Sequence, residues 1–339
     1  ALGMRFDHYQ INDKANESDG KNDGNVFSPR ISLMYRIMES LQARVSYSQG
    51  YRAPQIFDED LHIETSGSRK VIHENDPDLK QESSHSLMAS LDFNKQLGQI
   101  YTGLLVEAFY TRLVDAFANE FGAPDENGMV IYTRVNSEGG AWVQGINMEF
   151  KLRPGRDFSL TSGFTLQTSK FEEAQEFDET SFFRTPDSYG FLAMDWDFAR
   201  RFCLSGTGNY TGKMLIPYFG TAYPDGELRT SDAFLDLGLK LKYTVKLNGA
   251  SVEFSGGLKN ILNSYQDDFD MGINRDPAYV YGPMAPRTVF VGLRFGNLLS
   301  KETGSSIASK RGWGRNRGQS SDPNRERQGR YRNRKGKGM

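Results

Sequence analysis

The chain has 339 residues, of which 37% are apolar and 12% aromatic, and its formal net charge is -2. It contains no run of eighteen or more apolar residues, which excludes a transmembrane helix, so a membrane protein made of this sequence has to be a closed β-barrel. The single cysteine, Cys203, excludes an internal disulfide framework.

Segments of about ten residues alternate apolar and polar side chains from residue 1 to residue 299. This period of two is typical of barrel strands, although a soluble β-sandwich shows it as well. It is clearest in residues 233–243, 251–259 and 288–295. The alternation predicts twelve strands, near residues 1–11, 26–37, 41–55, 84–94, 100–118, 131–152, 158–169, 187–198, 202–213, 231–245, 250–264 and 287–298.

The predicted connections alternate between tight turns and long polar segments rich in Gly, Pro and Asp. The long ones are expected near residues 12–25, 55–80, 119–130, 170–187, 213–230 and 266–286. Such a rhythm is typical of outer-membrane barrels, in which one rim faces the periplasm and the other the cell exterior. A soluble sandwich has no reason to maintain it, so the rhythm favours an antiparallel transmembrane β-barrel. Counting strands predicts extracellular long loops and a periplasmic C-terminus.

Residues Tyr47 to His62, YSQGYRAPQIFDEDLH, end a predicted strand and open a long charged loop, and Asn75-Asp76-Pro77-Asp78-Leu79-Lys80 follows. Gly50-Tyr51-Arg52-Ala53-Pro54 with an Asn-x-Pro-x-Leu-like segment at this distance resembles the paired motifs in the barrels of TonB-dependent outer-membrane transporters. Further segments resemble the C-terminal half of that barrel in the family order: Leu2 to His8, Phe27 to Leu33, Val135-Asn136, Gln144 to Glu149, Gly257 to Asn263 and Pro286 to Phe295.

The resemblance covers residues 1–299 and implies a 22-stranded barrel around an N-terminal plug that contacts TonB. Only twelve strands are predicted here, and residues 1–7 already alternate like a strand without a charged apolar leader. We therefore expect residues 1–299 to be the C-terminal portion of a longer barrel. The plug and the remaining strands are expected to have been cut away or to be supplied by another polypeptide.

Two function classes follow from the resemblance. In the first, the chain belongs to an energised bacterial outer-membrane receptor that imports a scarce nutrient of the iron-siderophore, haem or cobalamin class. In the second, it is a non-transporting scaffold or binding subunit with a basic periplasmic tail. Both place outer-membrane lipid and lipopolysaccharide around the barrel. A plug-like domain and a TonB-contacting segment encoded upstream would favour transport.

No enzyme signature stands out, because the four histidines lack metal-ligand spacing and the serines lack a nucleophile-elbow context. A cargo site would instead combine loop and lumen-facing side chains, with tyrosines offering a flat apolar face and a polar tip. The alternative is that the loop tyrosines simply pack against each other. The candidate cargo-binding residues are Arg52, Gln55, Asp58, Glu59, Asp60, His62, His73, Tyr218, Phe219, Tyr223, Tyr279 and Tyr281.

Two of these histidines, His62 and His73, lie between the paired motifs. In the family that the chain resembles, haem transporters carry a ligand histidine in that interval, so the resemblance implies haem as one possible cargo. The alternative is that these histidines are simply solvated loop residues. We expect no resident cofactor, although acidic loop clusters at 58–60, 172–179 and 267–270 could chelate calcium or simply be solvated.

The C-terminal segment differs from the body in charge and composition. Residues 300–339 carry a net charge of +9 and residues 1–299 a net charge of -11. The segment is rich in Gly, Arg, Ser and Asn and is too polar to bury a core, so we expect it to be disordered. Arg-Gly runs interleaved with Trp313 and Tyr331 can bind nucleic acid, but a periplasmic tail argues against it. The remaining interpretations of this segment are that it is simply solvated or that it binds an anionic partner.

Overall fold

The computed structural model describes residues 1–12, 21–54, 70–122, 129–220, 222–223, 226–247, 249–272, 275–276 and 278–297. Strands dominate these residues, and their helical content is a single 3₁₀ turn at Glu176–Asp178. Within the same residues, no helix has the length and apolarity needed to cross a membrane.

Seventeen strands lie in the described part of the chain. They are β1 (Leu2–Asn12), β2 (Lys21–Met38), β3 (Leu41–Arg52), β4 (Lys70–Asn75), β5 (Glu82–Leu97), β6 (Ile100–Val114), β7 (Phe117–Phe121), β8 (Met129–Asn136), β9 (Ala141–Arg153), β10 (Phe158–Phe171), β11 (Ser188–Ala199), β12 (Phe202–Thr211), β13 (Leu215–Tyr218), β14 (Glu227–Thr230), β15 (Phe234–Leu247), β16 (Ala250–Lys259) and β17 (Thr288–Asn297).

Twelve of the strands form one antiparallel sheet in the order β1-β2-β3-β5-β6-β9-β10-β11-β12-β15-β16-β17. The other five lie in the long connections, as the three-stranded sheet β4-β8-β7 and the hairpin β13-β14. Pairing within the small sheet is parallel between β4 and β8 and antiparallel between β7 and β8. The predicted number of barrel strands is therefore confirmed, and the long loops contain additional local sheets.

The cross-strand register places apolar residues opposite apolar residues on one face. Val45 faces Leu33 on β2 and Ala89 on β5, and Ala89 faces Ala108 on β6. The same face continues through Ile146, which lies opposite both Ala108 and Leu166. Because side chains alternate along a strand, the other face collects the polar residues, as the sequence pattern predicted. At the end of this apolar face near the short turns, Trp196, Phe198, Phe202 and Tyr243 form a row of contacting rings.

The connections of the main sheet keep the predicted rhythm. Short turns join Met38 to Leu41, Leu97 to Ile100, Arg153 to Phe158, Ala199 to Phe202 and Leu247 to Ala250. The six other connections are long and, because the strands are antiparallel, all leave the sheet at the opposite rim. We call this the long-connection rim.

Two predicted strands are wrong in their extent. Residues 131–152 form two strands, β8 and β9, because Gly139 and Gly140 adopt positive φ angles of 68° and 77° between them. Residues 100–118 are likewise divided, with Asp115 at φ 52° between β6 and β7. Both breaks lie at the long-connection rim, where the chain leaves the main sheet to build the small one. The predicted disordered tail lies outside the described residues.

The chain divides into two compact units. The first comprises residues 1–245 and 253–294 and contains the candidate site residues of the described part. The second comprises residues 246–252 and 295–339, and within its described residues the Ser251 hydroxyl donates a hydrogen bond to the Gly296 carbonyl at 3.4 Å.

We expect Val45→Arg to reduce the free energy of unfolding by about 2–4 kcal/mol, because a guanidinium in the middle of a lipid-facing strand loses its hydration. Ser46→Arg is the matched control, since Ser46 is the next residue and lies on the polar face beside Ser32 and Met88. Urea unfolding in lipid vesicles, followed by tryptophan fluorescence, measures both variants. Equal losses in the two variants would contradict the assignment of faces.

Candidate functional site at the long-connection rim

Arg52, a predicted cargo-binding residue, connects three strands at this rim. Its Nη2 lies 3.2 Å from the Glu82 carboxylate at the start of β5. Its guanidinium lies 4.6 Å from the centre of the Phe117 ring on β7, and the Phe117 N–H donates to the same carboxylate at 3.0 Å. The ion pair and the cation–π contact thus tie β3, β5 and β7 together. The guanidinium remains half-exposed on the polar face.

The second motif segment, residues 75–80, is held by Asn136 at the end of β8. The Asn136 side-chain oxygen Oδ1 accepts a hydrogen bond from the Lys80 N–H at 2.7 Å, and the side-chain Nδ2 donates to the Lys80 carbonyl at 3.1 Å. Leu79 is 3% exposed, and its carbonyl accepts a hydrogen bond from the Asn22 side chain of β2 at 2.8 Å. The segment 75–80 and the Val135-Asn136 segment, which the sequence analysis identified separately, are therefore hydrogen-bonded to each other in the folded chain.

Four of the predicted tyrosines gather in a second cluster, formed by Tyr218, Tyr223, Tyr279, Tyr281 and Arg229. We call it the tyrosine cluster. The Tyr218 ring lies 4.8 Å from Tyr279, which lies 5.2 Å from Tyr281, with both pairs edge to face. The Arg229 guanidinium lies 3.5 Å from the Tyr218 ring centre and is paired with Glu227 at 2.5 Å.

Burial divides the tyrosine cluster into an inner and an outer part. Tyr279 is 4% exposed and packs with Met214 and Ile216 in a small hydrophobic core, whereas Tyr223 is 42% exposed. Tyr218 and Tyr281 are partly buried against the same core. The loop tyrosines therefore pack against one another, which is the alternative to cargo binding given in the sequence analysis. The cluster nevertheless presents aromatic surface to solvent.

Aspartates satisfy the tyrosine hydroxyls. The hydroxyls of Tyr279 and Tyr281 donate to the two oxygens of Asp268 at 2.9 and 2.8 Å. The Tyr218 hydroxyl donates to Asp270 at 3.1 Å, and Asp270 also accepts the Asp276 N–H at 2.8 Å. Asp268 and Asp270, which belong to an acidic cluster considered for calcium chelation or simple solvation, act here as hydrogen-bond acceptors for the loop itself.

Gln266 and Arg184 hold the same loop, and the sequence analysis selected neither. Gln266 is 2% exposed, accepts the N–H groups of Tyr281 and Gly282, and donates to the Tyr279 carbonyl at 3.1 Å. Arg184 donates to the carbonyls of Val280 and Ala278 at 2.9 and 2.7 Å. Neither residue lies in a recognisable motif, since their partners are backbone groups close only in the folded chain.

The remaining candidates are placed as follows. The Phe219 N–H donates to Asp276 at 2.9 Å, and its ring lies 5.9 Å from Phe177. His73 lies on β4, paired with Tyr132 in the parallel register. Gln55, Asp58, Glu59, Asp60 and His62 lie outside the described residues.

The acidic loops were also considered as calcium-binding clusters, beside simple solvation. In the part of the chain that the structure describes, no group of three or more His, Cys, Asp or Glu side chains is arranged to hold a metal ion. The acidic residues 58–60 lie outside the described residues, and loop-bound calcium stays a hypothesis.

Burial and hydrogen bonding shift the acid–base properties of the tyrosine cluster. Burial raises the pKa of Tyr281, and the hydrogen bond to Asp268 raises it further. Burial also raises the pKa of Tyr279, outweighing the hydrogen bond with Arg229, which lowers it. Since both values are raised in the folded state, the stability that the neutral hydroxyls contribute is fully present below the unfolded pKa of about 10. It is lost as the pH rises from there through the folded values.

We expect Asp268→Asn to lower the pKa of Tyr279 and Tyr281, because it removes the negative charge that disfavours their ionised forms. Asp267→Asn is the control, since Asp267 is the exposed neighbour in sequence. Carbon-13 NMR of labelled tyrosine rings between pH 8 and 12 follows each titration. Identical curves for the two variants would contradict the role of Asp268.

The family comparison identifies the sheet. The family model described as TonB dependent receptor-like, beta-barrel matches residues 1–261. No curated protein matches the sequence.

Solved structures with the same fold include three iron-related receptors. The FrpB iron transporter from Neisseria meningitidis matches with a TM-score of 0.60 and 15% identity, over 87% of this chain and 42% of the transporter. The ferric-catecholate import receptor Fiu from E. coli K12 matches with 0.56 and 14%, over 86% and 41%. The ferripyoverdine receptor of Pseudomonas aeruginosa matches with 0.58 and 12%, over 87% and 36%.

These structures share the fold, and the chain spans less than half of each of them. The family match and the twelve-stranded sheet agree on the same part of the molecule. The chain belongs to the TonB-dependent receptor-like β-barrel family, whose members are proteins of the bacterial outer membrane.

Proposed function

We propose that the chain is the barrel portion of a TonB-dependent outer-membrane receptor that imports a scarce nutrient of the iron-siderophore, haem or cobalamin class. The observation that carries the proposal is the family match to a sheet with one apolar face, one polar face and every long connection at one rim. Lipid and lipopolysaccharide would cover the apolar face, and cargo would meet the polar face and the long connections.

Iron-siderophore cargo has the most support within this class, since three structural neighbours are named as iron transporters or receptors. In our proposal the long connections face the cell exterior and the C-terminus faces the periplasm. The remaining strands, the plug and the contact with TonB come from the rest of a longer protein or from another polypeptide. Exposed Tyr223, with the Tyr218 ring 6.1 Å away, offers aromatic surface for cargo.

Uptake in whole cells tests the proposal. Deleting the gene for the full-length protein is expected to abolish energised uptake of iron delivered by its cognate siderophore, and deleting TonB is expected to have the same effect. Radioactive iron accumulated by iron-starved cells is the measurement, with complemented cells as the control. Surface binding that persists without any energised uptake in wild-type cells would favour the non-transporting scaffold instead.

Haem cargo depends on a histidine between the paired motifs. If haem is the cargo, His62→Ala or His73→Ala is expected to alter the Soret band of the haem-loaded full-length protein, because loss of an axial imidazole changes iron coordination. His8→Ala is the matched control, since His8 lies on β1 and pairs with Asn25 at 3.1 Å. A Soret band unchanged in both loop variants would remove haem from the proposal.

A further inference from the structure

A row of four aromatic rings lies on the apolar face of the sheet, beside the turn that joins β11 to β12. The ring centres of Trp196 and Phe198 are 5.5 Å apart, those of Phe198 and Phe202 5.9 Å, and those of Phe202 and Tyr243 4.8 Å. We call these four residues the aromatic row. Trp196, Phe198 and Phe202 are 45%, 45% and 37% exposed, so the row presents a continuous apolar surface to its surroundings.

A β-bulge makes this row continuous. Trp196 lies opposite Leu204, but Ala199 lies opposite Phe202, so β11 holds one residue more than β12 over this stretch. A bulge re-aims the side chains beside it. Here Phe198 contacts both Trp196 on its own strand and Phe202 on the next.

The aromatic row lies on the outside of the sheet and away from its edges. The strands β10, β11, β12 and β15 are paired in succession, so β11 and β12 have a neighbouring strand on both sides. The row shares its face with Leu204 and Leu241, whereas a plug would lie against the opposite, polar face. Neither a plug nor further barrel strands would therefore cover the row.

Arg201, in the turn between β11 and β12, adds a positive charge to the end of the row. Its Nη1 donates to the Tyr243 hydroxyl at 3.4 Å, and its carbonyl accepts the Thr244 N–H at 2.9 Å, which fixes the turn to β15. Arg200 and Arg201 are both exposed, and neither forms an ion pair with a carboxylate of the described residues. A guanidinium has five N–H donors, so the bond to Tyr243 leaves others for an external group.

The ligand that fits this arrangement has an apolar part beside an anionic group. Aromatic side chains of membrane proteins concentrate at the membrane–water interface, where an arginine can bury its stem and keep its charged head at the polar level. A guanidinium matches phosphate oxygens with paired N–H donors, and the tyrosine hydroxyl can join it. Acyl chains joined to a phosphate, as in a phospholipid, supply both parts.

We propose that the aromatic row and Arg201 bind one phospholipid, with its phosphate held by the Arg201 guanidinium and the Tyr243 hydroxyl and its acyl chains against the rings. The inference goes beyond nutrient import but rests on the orientation in the proposed function. In that orientation the short-turn rim faces the periplasm, so the lipid is a phospholipid and not lipopolysaccharide. The site holds the barrel at a fixed depth in its membrane.

Native mass spectrometry of the full-length protein in detergent tests the site with two lipids that have the same acyl chains. Dioleoylphosphatidylglycerol carries a phosphate and dioleoylglycerol lacks it. We expect phosphatidylglycerol to bind more tightly, and Arg201→Gln to weaken its binding about fivefold, since one basic residue contributes about that factor at an anionic lipid surface. Binding of dioleoylglycerol is expected to be unchanged in the variant, and binding of phosphatidylglycerol to weaken as salt increases.

Lys95→Gln is the matched control, because Lys95 is exposed on the same face of the sheet near another short turn and lies opposite Thr102 rather than an aromatic residue. Tyr243→Phe keeps the ring, removes the hydroxyl and is also expected to weaken phosphatidylglycerol alone, which provides a second test if Arg201→Gln does not fold. Equal binding of the two lipids, or equal weakening in Arg201→Gln and Lys95→Gln, would overturn the proposal. Inorganic phosphate that binds as tightly as phosphatidylglycerol would overturn it too.

Lipid binding and transport are measured separately, so the failure of this inference is distinguishable from the failure of the proposed function. Loss of the preference for phosphatidylglycerol beside normal energised uptake would overturn the lipid site and leave the receptor function intact. A preference that depends on Arg201, in cells without energised uptake, would support the lipid site and contradict the receptor function.

Discussion

Backbone pairing between neighbouring antiparallel strands is the constraint on which the rest of the molecule depends. Every strand of the main sheet places alternate side chains on opposite faces, and a shift of one residue in any register would exchange the two sets. The registers from β2 to β10 keep Leu33, Val45, Ala89, Ala108, Ile146 and Leu166 on one continuous face. Because the registers separate the two sets of side chains in this way, the apolar face can contact lipid and the polar face can contact water.

The same pairing sends every long connection to one rim, where the chain has to satisfy its polar groups without the main sheet. It does so with the small sheet β4-β8-β7, the hairpin β13-β14 and side chains that bind backbone groups, such as Asn136 and Gln266. Arg52 and Arg229 are each paired with a carboxylate and an aromatic ring. Charges that are paired in this way stabilise the rim.

The motifs that resemble the receptor family have a structural explanation. Arg52 of the first motif, Lys80 of the second and Asn136 of a later segment are far apart in sequence, yet they join at the ends of β3, β5 and β8. Their fixed order reflects the order of strands around the sheet. A motif that fastens the long connections is compatible with different cargo, which is why it identified the family and left the cargo open.

The sequence alone determined the all-β fold class, the number of strands in the main sheet, the two faces of those strands and the alternation of short and long connections. It could do so because the two-residue period of a strand is a local property of the backbone. It also placed the tyrosines in the long connections. Tertiary structure decided that residues 131–152 divide at Gly139 and Gly140, and that Tyr218, Tyr279 and Tyr281 share one cluster with Arg229 and Asp268. It also brought Arg5, Arg30, Arg36, Arg44 and Arg52 from three strands onto one face of the sheet. These features depend on contacts between residues distant in the chain, and local alternation carries no information about which distant groups meet.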